Sequence, residues 1–172
     1  MINYEELELL TLTHQPIAPT QAYQPNLIHL DDPAESAIIN FSSHPAITIS
    51  PSESIDNAIF EMRSHDIHTI LVLDNQHVIG ILSSNDILGN KPIQLLQEKR
   101  INREQIQVHM IMSNINDSIF IDTKTLSFAR VGNIVKTLKK HKKQYLLALD
   151  HDNKIYGLFT ASRISKLLHK EL

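Results

Sequence analysis

The sequence contains an internal repeat, which constrains the fold more than any other feature. Residues 71–88 (LVLDNQHVIGILSSNDIL) and 147–165 (LALDHDNKIYGLFTASRIS) share one pattern. In both, an apolar run ends at an Asp, a polar turn follows, and a second apolar run contains a Gly. A Ser or Thr then opens a predicted helix. A pattern that occurs twice indicates two copies of one supersecondary unit. Because one copy alone would be marginally stable, we expect the two to pack together.

The repeat extends upstream of these runs. Residues 46–50 (AITIS) and 118–122 (SIFID) each predict a strand. Apolar residues at helical spacing follow both strands and predict a helix with one buried face. They are Ile55, Ala58, Ile59 and Met62 in the first copy and Val131, Ile134, Val135 and Leu138 in the second. The Asp/Asn turn predicts an antiparallel hairpin, and the helix between strands implies a right-handed crossover. The predicted fold class is therefore α/β (α+β), with two βαββα repeats packed pseudo-symmetrically, sheet to sheet.

These patterns divide the chain into four segments. An N-terminal arm, partly extended or mobile, is expected because residues 13–26 are rich in Pro, Thr and Gln. A short helix is predicted in the arm at residues 4–10. The order Asp32, Pro33, Glu35 predicts a helix start after it, and breaks are expected at Gly89 and Pro92. The predicted boundaries are 1–30 for the arm, 31–90 for repeat 1, 91–107 for a helical connector and 108–172 for repeat 2.

Composition excludes several classes of function. The chain is 42% hydrophobic and 20% charged with a formal net charge of −3, so bulk charge gives no case for nucleic-acid or membrane binding. The absence of cysteine excludes disulfides, thiolate catalysis and cysteine zinc sites. No apolar run approaches the ~18 residues of a membrane span, and the N-terminus does not resemble a secretory signal. We therefore expect a cytoplasmic protein.

Residues 62–88 (MRSHDIHTILVLDNQHVIGILSSNDIL) resemble a cystathionine-β-synthase (CBS) domain. That family has a helix ending in Met, an apolar strand closing on Asp, and then Gly, two apolar residues and Thr/Ser-x-x-Asp. Residues 108–113 (VHMIMS) resemble the Val-x-Asp-Ile-Met-Thr lead-in of tandem CBS domains, with Met110 in place of the Asp. The resemblance implies a Bateman module, a regulatory pair whose clefts bind AMP, ADP, ATP or S-adenosylmethionine. It also implies a homodimer that modulates an unknown client protein, with no obligatory cofactor.

The resemblance assigns the ribose contact to Ser83 and Asp86. In the family the Asp accepts hydrogen bonds from both ribose hydroxyls, and the Ser or Thr helps to hold ribose or phosphate. A carboxylate that accepts hydroxyl hydrogens makes strong, charge-assisted bonds. The same Ser-x-x-Asp order is also a capping box at a helix start, and the two roles can coexist.

The remaining candidate residues come from the same resemblance. It places the purine pocket along the first strand and the start of the second strand, at Ile47, Thr48, His68, Thr69 and Leu71 in repeat 1 and at Ile119, Phe120, Gln144 and Tyr145 in repeat 2. His68 is a candidate phosphate contact or a residue near a helix end, and Tyr145 stacks on a base or belongs to the core. Ile47 and Leu71 are equally consistent with core positions.

Repeat 2 departs from the family pattern. Thr160 keeps the hydroxyl, but Arg163 stands where the ribose Asp would be, and arginine accepts no hydrogen bond. The second cleft is therefore not expected to hold ribose in the family manner, and Arg163 meets a phosphate or solvent. Gly80 and Gly157 lie inside predicted strands, where we favour close helix-to-sheet packing over approach of a ligand.

Three hypotheses of function follow. The first is an adenosyl-ligand sensor, and the second is an interaction scaffold that binds no nucleotide. The third is nucleic-acid binding through the lysine run 136–143 (KTLKKHKK), which has few aromatic neighbours and is more typical of a solvated helix end. The spacing of His65 and His68 allows a metal reading, but no third ligand is evident. No catalytic motif stands out, so we expect a protein that is not an enzyme.

Overall fold

The computed structural model describes residues 27–169. The helix predicted at residues 4–10 and most of the arm lie outside this range. The strands are β1 (Ile39–Asn40), β2 (Thr48–Ile49), β3 (Thr69–Asp74), β4 (His77–Ser83), β5 (Ser113–Asn114), β6 (Ile119–Asp122), β7 (Tyr145–Leu149) and β8 (Ile155–Thr160). The α-helices are α1 (Ile55–Ser64), α2 (Ser84–Leu88), α3 (Asn90–Lys99), α4 (Val108–Ile111), α5 (Thr123–Leu126), α6 (Val131–His141) and α7 (Ala161–Leu168). Short 3₁₀ turns cover Ala34–Ser36, Arg103–Gln105 and Ile115–Asp117.

The strands form two four-stranded sheets, with the orders β2-β3-β4-β5 and β1-β8-β7-β6. In each sheet the first strand of the repeat runs parallel to the second, because a helical crossover joins them. The second and third strands form an antiparallel hairpin. The predicted βαββα order of both repeats is therefore confirmed.

The fourth strand of each sheet was not predicted, and it comes from the lead-in to the other repeat. β1 precedes repeat 1 but pairs with β8 of repeat 2, with Ile39 opposite Leu158. β5 precedes repeat 2 but pairs with β4 of repeat 1, with Ser113 opposite Ile81. The lead-ins thus exchange places, and each sheet is completed by backbone hydrogen bonds from the segment that enters the other repeat.

Both strand glycines lie where these edge strands approach. A Cβ atom at Gly157 would be 2.7 Å from the carbonyl oxygen of Ile39, and one at Gly80 would be 2.9 Å from the carbonyl oxygen of Ser113. Neither distance leaves room for a side chain. The prediction of close packing is confirmed, but the predicted partner is wrong, because the nearest backbone belongs to an edge strand rather than to a helix.

The two sheets pack against each other through a buried apolar cluster, which confirms the sheet-to-sheet prediction. Its fully buried members are Leu71, Ile81, Leu147 and Leu158. The opposite face of each sheet is covered by helices. The predicted helical stripes form these covers: every member is buried except Ile59, which is half-buried.

Two local predictions are wrong. The helix expected after Asp32 is only the 3₁₀ turn at Ala34–Ser36, because Ala37 and Ile38 are drawn into the core beneath the sheet of repeat 2 and the chain then enters β1. Pro92 does not break the connector, since it lies in the first turn of α3, where its missing N–H costs no helical bond. The break between α2 and α3 is at Gly89, as expected.

Candidate functional site

The turn from β4 into α2 carries Ser83 and Asp86. Ser83 is the N-cap of α2, and its Oγ accepts the backbone N–H of Asp86 at 3.2 Å. In return, Asp86 Oδ2 accepts the backbone N–H of Ser83 at 2.9 Å and the Ser83 hydroxyl at 2.6 Å. The capping box expected from the sequence is therefore present, and it holds the carboxylate in one orientation.

The other oxygen of this carboxylate is held by Lys91. Lys91 Nζ donates to Asp86 Oδ1 at 2.6 Å and to the backbone carbonyl of Ile111 at 3.0 Å. The Asp86 side chain is 13% exposed and that of Lys91 48% exposed. Because Gly89 breaks the helix between the two residues, their five-residue spacing follows no helical rule, and no signal in the sequence pointed to this pair.

Tyr145 reaches the same turn from the other repeat. It begins β7, and its half-buried side chain lies near Ser83 and Asp86. Burial raises the pKa of the Tyr145 hydroxyl above its ordinary value, the hydrogen bond with Ser83 opposes this rise, and the Asp86 carboxylate adds to it. The phenol therefore stays protonated near neutral pH and can act as a neutral donor.

The structure brings further candidates of repeat 1 to this edge of the sheet. Thr69 is half-buried at the start of β3 and lies opposite Ser83. His68 is exposed, and its backbone carbonyl accepts the N–H of Ser84 at 2.9 Å. Exposed Thr48 pairs with Leu71 across the parallel strands.

Two apolar candidate residues of repeat 1 contribute to the backbone pairing and the core of the fold. The carbonyl of half-buried Ile47 accepts the N–H of Leu71 at 3.3 Å. The side chain of Leu71 is only 4% exposed and belongs to the cluster between the sheets. Leu71 is therefore a core side chain, which is one of the two roles that the sequence allowed for it.

The equivalent turn of repeat 2 lacks an acidic side chain. Thr160 is only 3% exposed, and its Oγ1 accepts the backbone N–H of Arg163 at 3.1 Å. The Arg163 residue is exposed. Ile119 packs half-buried against the core of repeat 2, and the carbonyl of Gln144 accepts the N–H of Ala161 at 3.0 Å. This turn repeats the cap geometry of the first without its carboxylate.

A groove of about 180 Å³ lies on the outer side of repeat 2, beside part of the lysine run. Its walls are Val135, Leu138, Lys139, Lys142, Lys143, Gln144 and Ala161. Pockets for drug-sized ligands are typically ~300–1,000 Å³, so this groove is small for a nucleotide. It lies against α6, and Asp86 is not one of its walls.

The side-chain positions give no support to the hypothesis of a metal site at His65 and His68. Between residues 27 and 169, no three His, Cys, Asp or Glu side chains are grouped so that they could hold a metal ion. His65 instead lies 3.5 Å from the carboxylate of Glu61, one helical turn earlier. Over the same range, no helix has the length and apolar character needed to cross a membrane.

Comparison with known proteins gives one family match and many structures of the same fold. The CBS domain model matches residues 34–91. An uncharacterized conserved protein from Pyrococcus horikoshii is 18% identical, with a TM-score of 0.56, over 84% of this chain and 98% of that one. A CBS-domain protein from Burkholderia ambifaria is 16% identical, with a TM-score of 0.56, over 80% and 89%.

The CBS-pair protein CBSX2 from Arabidopsis thaliana, solved in complex with AMP, is also similar. It is 16% identical, with a TM-score of 0.52, over 78% of this chain and 94% of that one. At these identities the likeness concerns the fold, and it extends through both repeats. Residues 34–91 therefore match a CBS domain, and residues 27–169 have the fold of a tandem CBS pair, or Bateman module.

Proposed function

We propose that this chain is a regulatory module that binds an adenosine-containing ligand between its two repeats, with the ribose at Asp86. One observation carries the proposal: the largely buried Asp86 carboxylate of repeat 1, held by Ser83, lies near the half-buried phenol of Tyr145 from repeat 2. A polyhydroxylated ligand suits this arrangement, because it offers donors to the carboxylate and acceptors to the phenol. The similar CBSX2 structure holds AMP, which supports this class of ligand.

The rest of the ligand would extend along the same edge of the sheet. Thr48, His68 and Thr69 are the proposed contacts in repeat 1, with Ile47 packing beside them. In repeat 2 the proposed contacts are Ile119, Tyr145 and Thr160, and the exposed Arg163 would meet a phosphate. Because these residues come from both repeats, a ligand with higher affinity for one packing of the repeats would shift the population toward it. A client protein, or a second copy of the chain in a homodimer, would respond to that shift.

A second candidate function is an interaction scaffold that binds no nucleotide. It is favoured by the internal bonds of Asp86, whose two oxygens already accept three hydrogen bonds. It is also favoured by Arg163, which leaves repeat 2 without an equivalent acceptor. In this case the cap is the whole role of Ser83 and Asp86.

Calorimetric titration with AMP, ADP, ATP and S-adenosylmethionine separates the two functions. We expect one of them to bind, and Asp86→Asn to weaken its binding at least tenfold, which is ~1.4 kcal/mol. Asn keeps the size of the side chain and an oxygen for the cap, but it loses the charge and one acceptor. The charge-matched control is Asp152→Asn in the exposed β7–β8 turn, which should bind as the unaltered protein does.

Thermal denaturation with each ligand provides a second measurement. A ligand at 100 times its dissociation constant stabilises the folded protein by ~2.7 kcal/mol, so binding should raise the Tm. No heat and no shift of the Tm at millimolar ligand would contradict the sensor proposal and leave the scaffold.

A further inference from the structure

Lys91 occupies the oxygen of Asp86 that a bound ribose would need. A carboxylate offers about four lone-pair positions, two on each oxygen. In Asp86, the N–H and hydroxyl of Ser83 take both positions on Oδ2, and the Lys91 ammonium takes one on Oδ1. One position remains, which is enough for a single hydroxyl but not for the two adjacent hydroxyls of a ribose.

We infer that the Lys91 ammonium is an internal competitor of the ligand, so that a diol binds fully to Asp86 only when Lys91 leaves the carboxylate. This inference rests on the proposed function. Lys91 is the partner that can leave most easily, since its side chain is about half exposed and water can take over its charge. Ser83 cannot leave at the same cost, because its bonds close the first turn of α2.

Departure of Lys91 would also change a contact elsewhere. The same ammonium donates to the carbonyl of Ile111, the last residue of α4. The chain runs from there into β5, which pairs with β4 at the edge of the first sheet, and then into repeat 2. Ligand binding at Asp86 would therefore free a carbonyl in the lead-in to repeat 2, which gives the cleft a physical link to the contact between the repeats.

The affinity for adenosine is the direct test, because adenosine is uncharged and carries the diol. A half-exposed ion pair contributes roughly 0.2–1 kcal/mol, so Lys91→Met should tighten adenosine binding by up to about fivefold. The control is Lys99→Met at the end of the same helix, an exposed lysine without an ion pair to another residue in the range 27–169. It should leave the affinity unchanged.

The dependence of adenosine affinity on ionic strength gives a second test, because a Lys91 that only supported the fold would not produce it. Salt screens the pair between Lys91 and Asp86, so adenosine should bind more tightly to the unaltered protein as salt rises from low to high concentration. In Lys91→Met this dependence should be lost. The salt dependence of adenosine binding can be measured on the unaltered protein even if the variant folds poorly.

The outcomes are distinguishable. Adenosine binding that is unchanged or weaker in Lys91→Met, with equal salt dependence in both proteins, overturns this inference and leaves the proposed function intact. Weaker binding of AMP to the variant, with unchanged binding of adenosine, also overturns it, since Lys91 would then contact the phosphate. No binding of adenosine or AMP by either protein overturns both the inference and the proposed function.

Discussion

Replacing Asp86 by Ala should destabilise the protein even without a ligand. The substitution removes both bonds that Oδ2 accepts from Ser83 and the pair with Lys91. The loss of stability must be known before any loss of binding in Asp86 variants is interpreted, because the residue belongs to the fold as well as to the proposed site.

The magnitude follows from the individual contacts. Loss of a capping interaction costs about 1 kcal/mol. The pair with Lys91 adds roughly 0.5 kcal/mol, discounted because the lysine is 48% exposed. Ala is a better helix former than Asp and returns about 0.5 kcal/mol. We therefore expect Asp86→Ala to lower the free energy of unfolding by about 1 kcal/mol.

Urea unfolding, followed by circular dichroism and by tyrosine fluorescence, measures this difference as a shift in the midpoint at constant slope. The matched control is Arg163→Ala, at the same position of repeat 2. Thr160 Oγ1 there accepts the backbone N–H of residue 163, which Ala retains, and its contact with the Ser162 hydroxyl at 3.3 Å does not involve the Arg163 side chain. This control should change stability by no more than about 0.5 kcal/mol. Equal effects of the two substitutions would refute the assignment of the capping box.

Three further predictions concern the fold. Gly157→Ala should lower the free energy of unfolding by about 1–3 kcal/mol, because its Cβ would meet the carbonyl of Ile39 at 2.7 Å; unchanged stability would contradict the edge-strand contact. Phe159→Ala should cost about 3–5 kcal/mol in urea unfolding, because the ring is fully buried, and a loss under 1 kcal/mol would count against that packing. The pKa of Asp150 should lie below its ordinary value, chiefly because the backbone N–H of Lys154 donates to its carboxylate at 2.9 Å. The ionised Asp150 carboxylate then stabilises the folded protein above the unfolded pKa, and this contribution is lost as pH falls through the folded pKa. A carbon-detected NMR titration that gave an ordinary pKa for Asp150 would contradict this prediction.

Much of the fold could be predicted because its signals are local. The apolar stripes of α1 and α6 follow the helical period, and the hairpins follow alternating apolar runs around an Asp/Asn turn. The capping box at Ser83 needs only residues within one helical turn. Such features depend on residues a few positions apart, so the backbone geometry of one element is sufficient to bring them together.

What the sequence by itself determined is the doubled βαββα unit, its buried faces and the capped turn that carries Asp86. Only the tertiary structure decided that the lead-ins exchange sheets, that Lys91 holds Asp86 and that Tyr145 reaches Ser83. The physical reason is that edge pairing uses backbone groups, which every residue has, so a sequence pattern carries little trace of the partner. The contacts of Lys91 and Tyr145 likewise arise only when separate elements pack, and no spacing rule connects them beforehand.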